Sequence, residues 1–173
     1  GNLLTNLVLP SDLNHLETLD LGGNALTSLN LPRGLTHLTG LFLTANPLTS
    51  VTLPPDMTNL TALGFLQTPV TRLVISEPLA ASTNLSVNFL TVSQLRNQGI
   101  AVFTYPPALR LASPTRTAFG AFTFSLTGPP GIYTILASSN LVTWTALGST
   151  TNMLGTIPVM DPAQLSARKF YRA

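Results

Sequence analysis

The sequence of 173 residues has no cysteine, so neither a disulfide nor a thiolate metal site is available. It is also poor in charge: Asp, Glu, Lys and Arg make up 8% of it, against roughly 25% in an ordinary soluble chain. Solubility must then rest on the abundant Thr, Ser and Asn, a composition more typical of extracellular and assembled proteins than of cytoplasmic enzymes. With two histidines and six acids, few acid–base pairs can be assembled. No nucleophile elbow, zinc-protease helix, phosphate loop or dinucleotide fingerprint occurs, so neither a catalytic site nor a cofactor is expected. No apolar run approaches the ~20 residues that span a bilayer as a helix. No signal peptide is evident. The chain opens at Gly1-Asn2 in the middle of a repeating pattern, and the expectation is that an upstream segment has been removed.

The few charges are unevenly placed. Residues 1–80 carry Asp12, Glu17, Asp20, Asp56 and Glu77 against Arg33 and Arg72, whereas residues 81–173 carry Asp161 against Arg96, Arg110, Arg116, Arg168, Lys169 and Arg172. The bases of the second half are scattered, apart from a short cluster at the end, which argues against nucleic acid as a partner. Opposite-signed halves either keep a low-charge chain soluble or steer copies together head to tail.

What is present is a repeat. Leu16, Leu38 and Leu60 are 22 residues apart, as are Pro10, Pro32 and Pro54, and Asn2, Asn24 and Asn46, followed in the same column by Thr68. A fixed period of this length marks a solenoid. The pattern L-x-x-L-x-L-x-x-N-x-L stands intact at Leu16–Leu26 and Leu38–Leu48, and on it the chain resembles a leucine-rich repeat protein. Each L-x-L is expected to form a short strand with alternate residues inward. One ladder would contain Leu19/Leu21, Leu41/Leu43 and Leu63/Phe65; a second would contain Leu7/Leu9, Leu29/Leu31, Val51/Leu53 and Leu73/Ile75. The resemblance implies that Asn2, Asn24 and Asn46 turn inward and bond loop backbone of adjacent repeats, a structural role, since buried peptide groups need partners.

The period breaks over residues 76–107. Thr91–Gln98 reads as a short helix with Thr91 or Ser93 as its N-cap and Gly99 as its stop, and Ile100–Tyr105 as a strand. Together they would close the open end of the repeats. Pro106-Pro107 marks a boundary, giving a repeat domain at 1–106 and a second domain at 107–173. In the latter, strand patterns at 108–113, 117–127, 132–138, 143–149, 155–160 and 168–172 predict a small β-sandwich. Thr117–Leu126 carries Phe119, Phe122, Phe124 and Leu126 in near-alternation, and Asp161–Gln164 has the residues of a capping box. The words Tyr133-x-Ile135-x-x-Ser138-x-x-Leu141-x-x-Trp144 and Phe170-Tyr-Arg172 resemble a C-terminal β module of secreted proteins from Verrucomicrobia and related bacteria. That resemblance implies a bacterial, extracellular or cell-surface setting and a sorting or docking role. Trp144 is expected in the core; stacking on a carbohydrate is the alternative.

Candidate functional residues lie on the exposed face of the first ladder: Thr18, Asp20, Phe42, Thr44 and Leu66, with Phe42 and Leu66 as anchors for a protein partner. His15 and His37 fall in one column, which places them on adjacent repeats ~5 Å apart, the spacing of neighbouring strands. They form either a solvent-facing polar row or two ligands of a metal that still needs a third. The expected function is a non-catalytic surface protein that acts through protein contacts, with copies of itself as first partner and end-to-end assembly into a fibre as the structural outcome. A monomeric adhesin, or the non-catalytic part of a larger secreted protein, is the alternative.

Overall fold

The computed structural model describes residues 2–118, 120–161 and 169–173. Phe119 and residues 162–168, which include all of the expected capping box except Asp161, lie outside the described residues. The chain divides into two compact units, Gly1–Pro107 and Ala108–Ala173.

In the first unit the 22-residue period becomes strand register. Strands β1 (Thr18–Asp20), β2 (Gly40–Phe42) and β4 (Ala62–Gly64) pair in parallel, with Leu19, Leu41 and Leu63 directly opposite one another. A two-residue strand, β6 (Ser86–Val87), extends the sheet to the order β1-β2-β4-β6. Its register, Leu63 opposite Val87, is two residues longer than the period. Leu41, Leu63 and Val87 point into a core built from successive leucine columns: Leu26 and Leu48, Leu38 and Leu60, Leu31 and Leu53. Every repeat supplies the same inward positions, so stacking makes one continuous apolar column that no repeat could bury alone.

The second ladder is shorter than the pattern predicts. It consists of β3 (Ser50–Thr52), β5 (Arg72–Ser76) and β7 (Ala101–Tyr105), again parallel. Residues 7–9 and 29–31 form no strand, although Leu7, Leu9, Leu29 and Leu31 still pack on the core. Side-chain shape accounts for the difference. β3 and β5 bring Val51, Thr52, Val74 and Ile75, β-branched residues that suit a pleated surface, where the earlier repeats offer leucine around Val8 and Asn30.

Helix α1 (Glu77–Ala81) follows β5 directly, with Pro78 in its first turn and Leu79 buried. The sequence reading missed this helix because it is one turn long. Helix α2 (Val92–Asn97) begins at Thr91, whose hydroxyl accepts from the Gln94 backbone N–H while the Gln94 side chain accepts from the Thr91 N–H, a complete capping box. Gly99 then takes a φ of +85°, the left-handed conformation that ends helices. The chain turns into β7, whose Tyr105 is fully buried and donates its hydroxyl to the Leu53 carbonyl.

The second unit is antiparallel. β8 (Arg110–Arg116), β9 (Phe122–Thr127) and β12 (Thr156–Asp161) make one sheet in the order β12-β9-β8. β10 (Gly131–Ser138), β11 (Thr145–Asn152) and β13 (Phe170–Arg172) make the other, in the order β11-β10-β13. Both sheets feed one core around Phe124, Leu126 and Ile135. Tyr171 stacks on Phe122 at 5.1 Å between ring centroids. Asp161 is wholly buried; its Oδ2 accepts from Lys169 Nζ at 2.6 Å and from the Tyr171 hydroxyl at 2.9 Å. Asn152, also buried, donates to Gly128 O and accepts from Gly155 N, which ties two turns together. Trp144 is absent from this core, contrary to expectation. It is half-buried, because the turn that precedes β11 leaves its ring at the surface beneath the Arg172 guanidinium, 4.2 Å from the ring centroid.

Candidate protein-docking groove

The exposed face of the β1-β2-β4-β6 sheet is built from small residues around one large one. Gly40 and Gly64 flank Phe42, two residues before it on the same strand and opposite it on the next. With no side chains there, the Phe42 ring lies down against the sheet. A Cβ at Gly64 would stand 3.0 Å from Phe42 Cδ1, and one at Gly40 would stand 3.2 Å from Phe42 Cε2. Ala62 and Ser86 add little height. The result is a shallow groove of about 150 Å³ with this floor, bounded by Phe42, Thr44, Leu66, Asn88 and Phe89. Among the described residues no charged side chain lines it.

Phe89 forms one wall and was not foreseen. It stands at the tip of a two-residue hairpin turn closed by reciprocal Val87 and Leu90 backbone bonds of 2.9 and 2.8 Å. Asn88 and Phe89 both have positive φ, 51° and 67°, as a type I′ turn requires. Asparagine tolerates that conformation; a bulky aromatic residue rarely adopts it. Asn88 also accepts from Phe65 N at 2.7 Å, which anchors the turn to β4. Phe89 is consequently held 90% exposed. The only trace in the sequence is an Asn-Phe pair just where the period lengthens.

Of the five surface residues singled out in the sequence, the groove gathers Phe42, Thr44 and Leu66. Thr18 lies beside it, its Cγ2 3.6 Å from where a Gly40 side chain would begin. Asp20 serves its own turn, accepting from Gly22 N at 2.8 Å.

The asparagine column is a graded series. Asn46, 2% exposed, accepts from Leu26 N and donates to Leu21 O and Leu43 O, so it bonds its own repeat and the one before. Asn24 makes the homologous bonds to Leu4 N and Leu21 O from a half-buried position. Asn2 is exposed. Thr68 keeps the link to the preceding repeat through its hydroxyl, donating to Leu43 O.

His15 and His37 meet as the spacing predicts, with ring centroids 5.9 Å apart and both side chains exposed. His37 Nδ1 is engaged with the Thr36 hydroxyl at 3.2 Å. Among the described residues no group of three or more His, Cys, Asp or Glu side chains is placed to hold a metal ion. Nor is any helix among them long and apolar enough to cross a membrane.

Residues 14–55 match the family model of leucine-rich repeats in two copies, the stretch that contains β1, β2 and β3. Leucine-rich repeats are typically non-catalytic modules for protein–protein interaction. No curated protein and no solved structure matches the chain.

Proposed function

We propose that this chain is a non-catalytic interaction protein of the bacterial cell surface or exterior, whose repeats stack as a short solenoid and dock a protein partner in the Phe42–Leu66–Phe89 groove. The observation that carries the reading is Phe89, a large apolar side chain kept in solvent by a strained turn beside an uncharged groove. Strain of this kind persists where the surrounding structure over-determines the backbone, and it clusters at functional sites; aromatic anchors beside a desolvated pocket dominate binding energy at interfaces. The extracellular setting is supported by the scarcity of charge and the resemblance of the C-terminal words to a secreted module.

A peptide library displayed on phage and panned on the purified protein tests the groove. Recovered peptides should share a large apolar residue and lose binding to the Phe89→Ser and Leu66→Ser variants. Peptides that bind these variants unchanged would reject the groove.

A second copy of the chain is the first partner proposed. The first unit carries five acids to three bases and the second five bases to one acid, so unlike units of different copies attract. A heterologous contact of this kind, if it does not close, produces a fibre. Sedimentation velocity across a salt series decides it: association should weaken as salt screens the charges. A chain that stays monomeric at low salt and high concentration is instead an adhesin-like monomer.

A further inference from the structure

The turn between β10 and β11 presents two large aliphatic side chains in succession, Leu141 at 56% and Val142 at 80% exposed. Leu141 is held at a φ of +64°, a conformation that a leucine seldom takes.

The backbone of this tip needs little water. Asn140 N and Leu141 N donate to Ser138 Oγ at 3.2 and 2.8 Å, while Val142 N and Thr143 N each donate to Asn140 Oδ1 at 2.9 Å. Four consecutive amides are thereby satisfied by two side chains of the same turn. The Trp144 indole N–H is satisfied too, donating to Leu141 O at 3.3 Å. Such internal pairing is what a segment entering an apolar medium requires, because an amide stripped of water without a partner is penalised there. Directly behind the tip lie Trp144 and the Arg172 guanidinium stacked on it. A tryptophan suits the boundary between headgroups and acyl chains, and a guanidinium there is in reach of a phosphate. The rest of the unit agrees in sign, with Arg110, Arg116, Arg168, Lys169 and Arg172 against a buried Asp161.

We infer that the Ser138–Thr145 turn is a peripheral membrane-docking element, which inserts Leu141 and Val142 among the lipids of an anionic surface with Trp144 and Arg172 at headgroup level. Adsorption is weak and reversible, because two side chains and a modest charge are a small anchor, and both the apolar and the electrostatic contribution are needed.

The chain has one tryptophan, and it lies in this turn, so intrinsic fluorescence reports on the site directly. With vesicles of phosphatidylcholine and phosphatidylglycerol, Trp144 emission should shift to the blue and become protected from acrylamide, and the protein should co-sediment. Phosphatidylcholine vesicles alone should do neither, and high salt should reverse both effects. The variant Leu141→Ser/Val142→Ser alters only exposed side chains; it should keep the wild-type circular dichroism and lose the vesicle response. An equal response to neutral vesicles would overturn the anionic requirement, and an unchanged response in the double variant would overturn the assignment to this tip. Absence of any response would reject the lipid assignment.

Discussion

Phe42 and Gly64 are a matched pair across two parallel strands. The ring of one occupies the space that a side chain on the other would need, with Cδ1 only 3.0 Å from the Cβ position. The groove thus depends on an absence, a glycine that lets an aromatic ring lie flat and leave room above it.

The first prediction follows from this pair. Gly64→Ala should destabilise the first unit by about 1–3 kcal/mol, the usual cost of overpacking, and shift Phe42 out of the groove wall. In a Phe42→Ala background the same substitution should cost far less, since contacting residues are non-additive. Urea denaturation of the four proteins measures the coupling; additive effects would show that the contact has no energetic weight.

The asparagine column predicts a gradient. Asn46→Ala strands Leu26 N in the interior and takes one donor each from the carbonyls of Leu21 and Leu43, which keep Asn24 and Thr68, at about 1–3 kcal/mol for the buried amide left unpaired. Asn24→Ala exposes its former partners to water and should cost markedly less. Equal losses in urea midpoint for the two variants would contradict burial as the cause.

Phe89 should separate stability from binding. Phe89→Gly relieves a left-handed backbone, a strain of about 1 kcal/mol, and glycine adopts this conformation freely. Thermal stability should therefore hold or rise while groove-directed peptides bind at least tenfold more weakly, a difference of about 1.4 kcal/mol. A fall in stability with binding intact would reverse the assignment and make Phe89 a structural residue.

Tyr171 predicts an alkaline limit for the second unit. Burial, and then its hydrogen bond to the Asp161 carboxylate, push its phenol up from 10.0 to about 12. Between these values the unfolded chain has released a proton that the folded chain keeps. This contribution to stability is therefore whole below pH 10.0 and is lost as the pH rises towards about 12. Tyr171→Phe should remove that slope, and ultraviolet difference titration should lose its late-ionising phenol. A titration identical to that of the wild type would show that another tyrosine is responsible.

The limits of sequence reading are visible in particular residues. The 22-residue spacing placed Leu19, Leu41 and Leu63 opposite one another before any coordinates, because a repeat that must stack on its own copy has one register available. Thr91 as a candidate N-cap and Gly99 as a stop announced α2, because both signals are local chemistry. Phe42, Thr44 and Leu66 were picked out because alternation assigns faces. The same alternation overreached at Leu7–Leu9 and Leu29–Leu31, which keep their place on the core without making a strand. The turn conformations of Phe89 and Leu141 are not legible in their own residue types, since a positive φ on a bulky residue is imposed by surrounding hydrogen bonds rather than by its own preference. Trp144, the one tryptophan of a small β unit, reads as a core residue from sequence, whereas the turn before β11 leaves its ring at the surface, where Arg172, remote in sequence, stacks on it.

The parallel ladder and the leucine core are written in the 22-residue spacing. Each of these follows from periodicity, and periodicity is a property of the chain alone. The proposed docking groove is the product of tertiary packing. A groove arises only when Gly64 of one repeat comes to lie beside Phe42 of another and a later turn lifts Phe89 over both. That juxtaposition depends on packing in three dimensions, and the packing also absorbs the strain of holding an aromatic side chain in water.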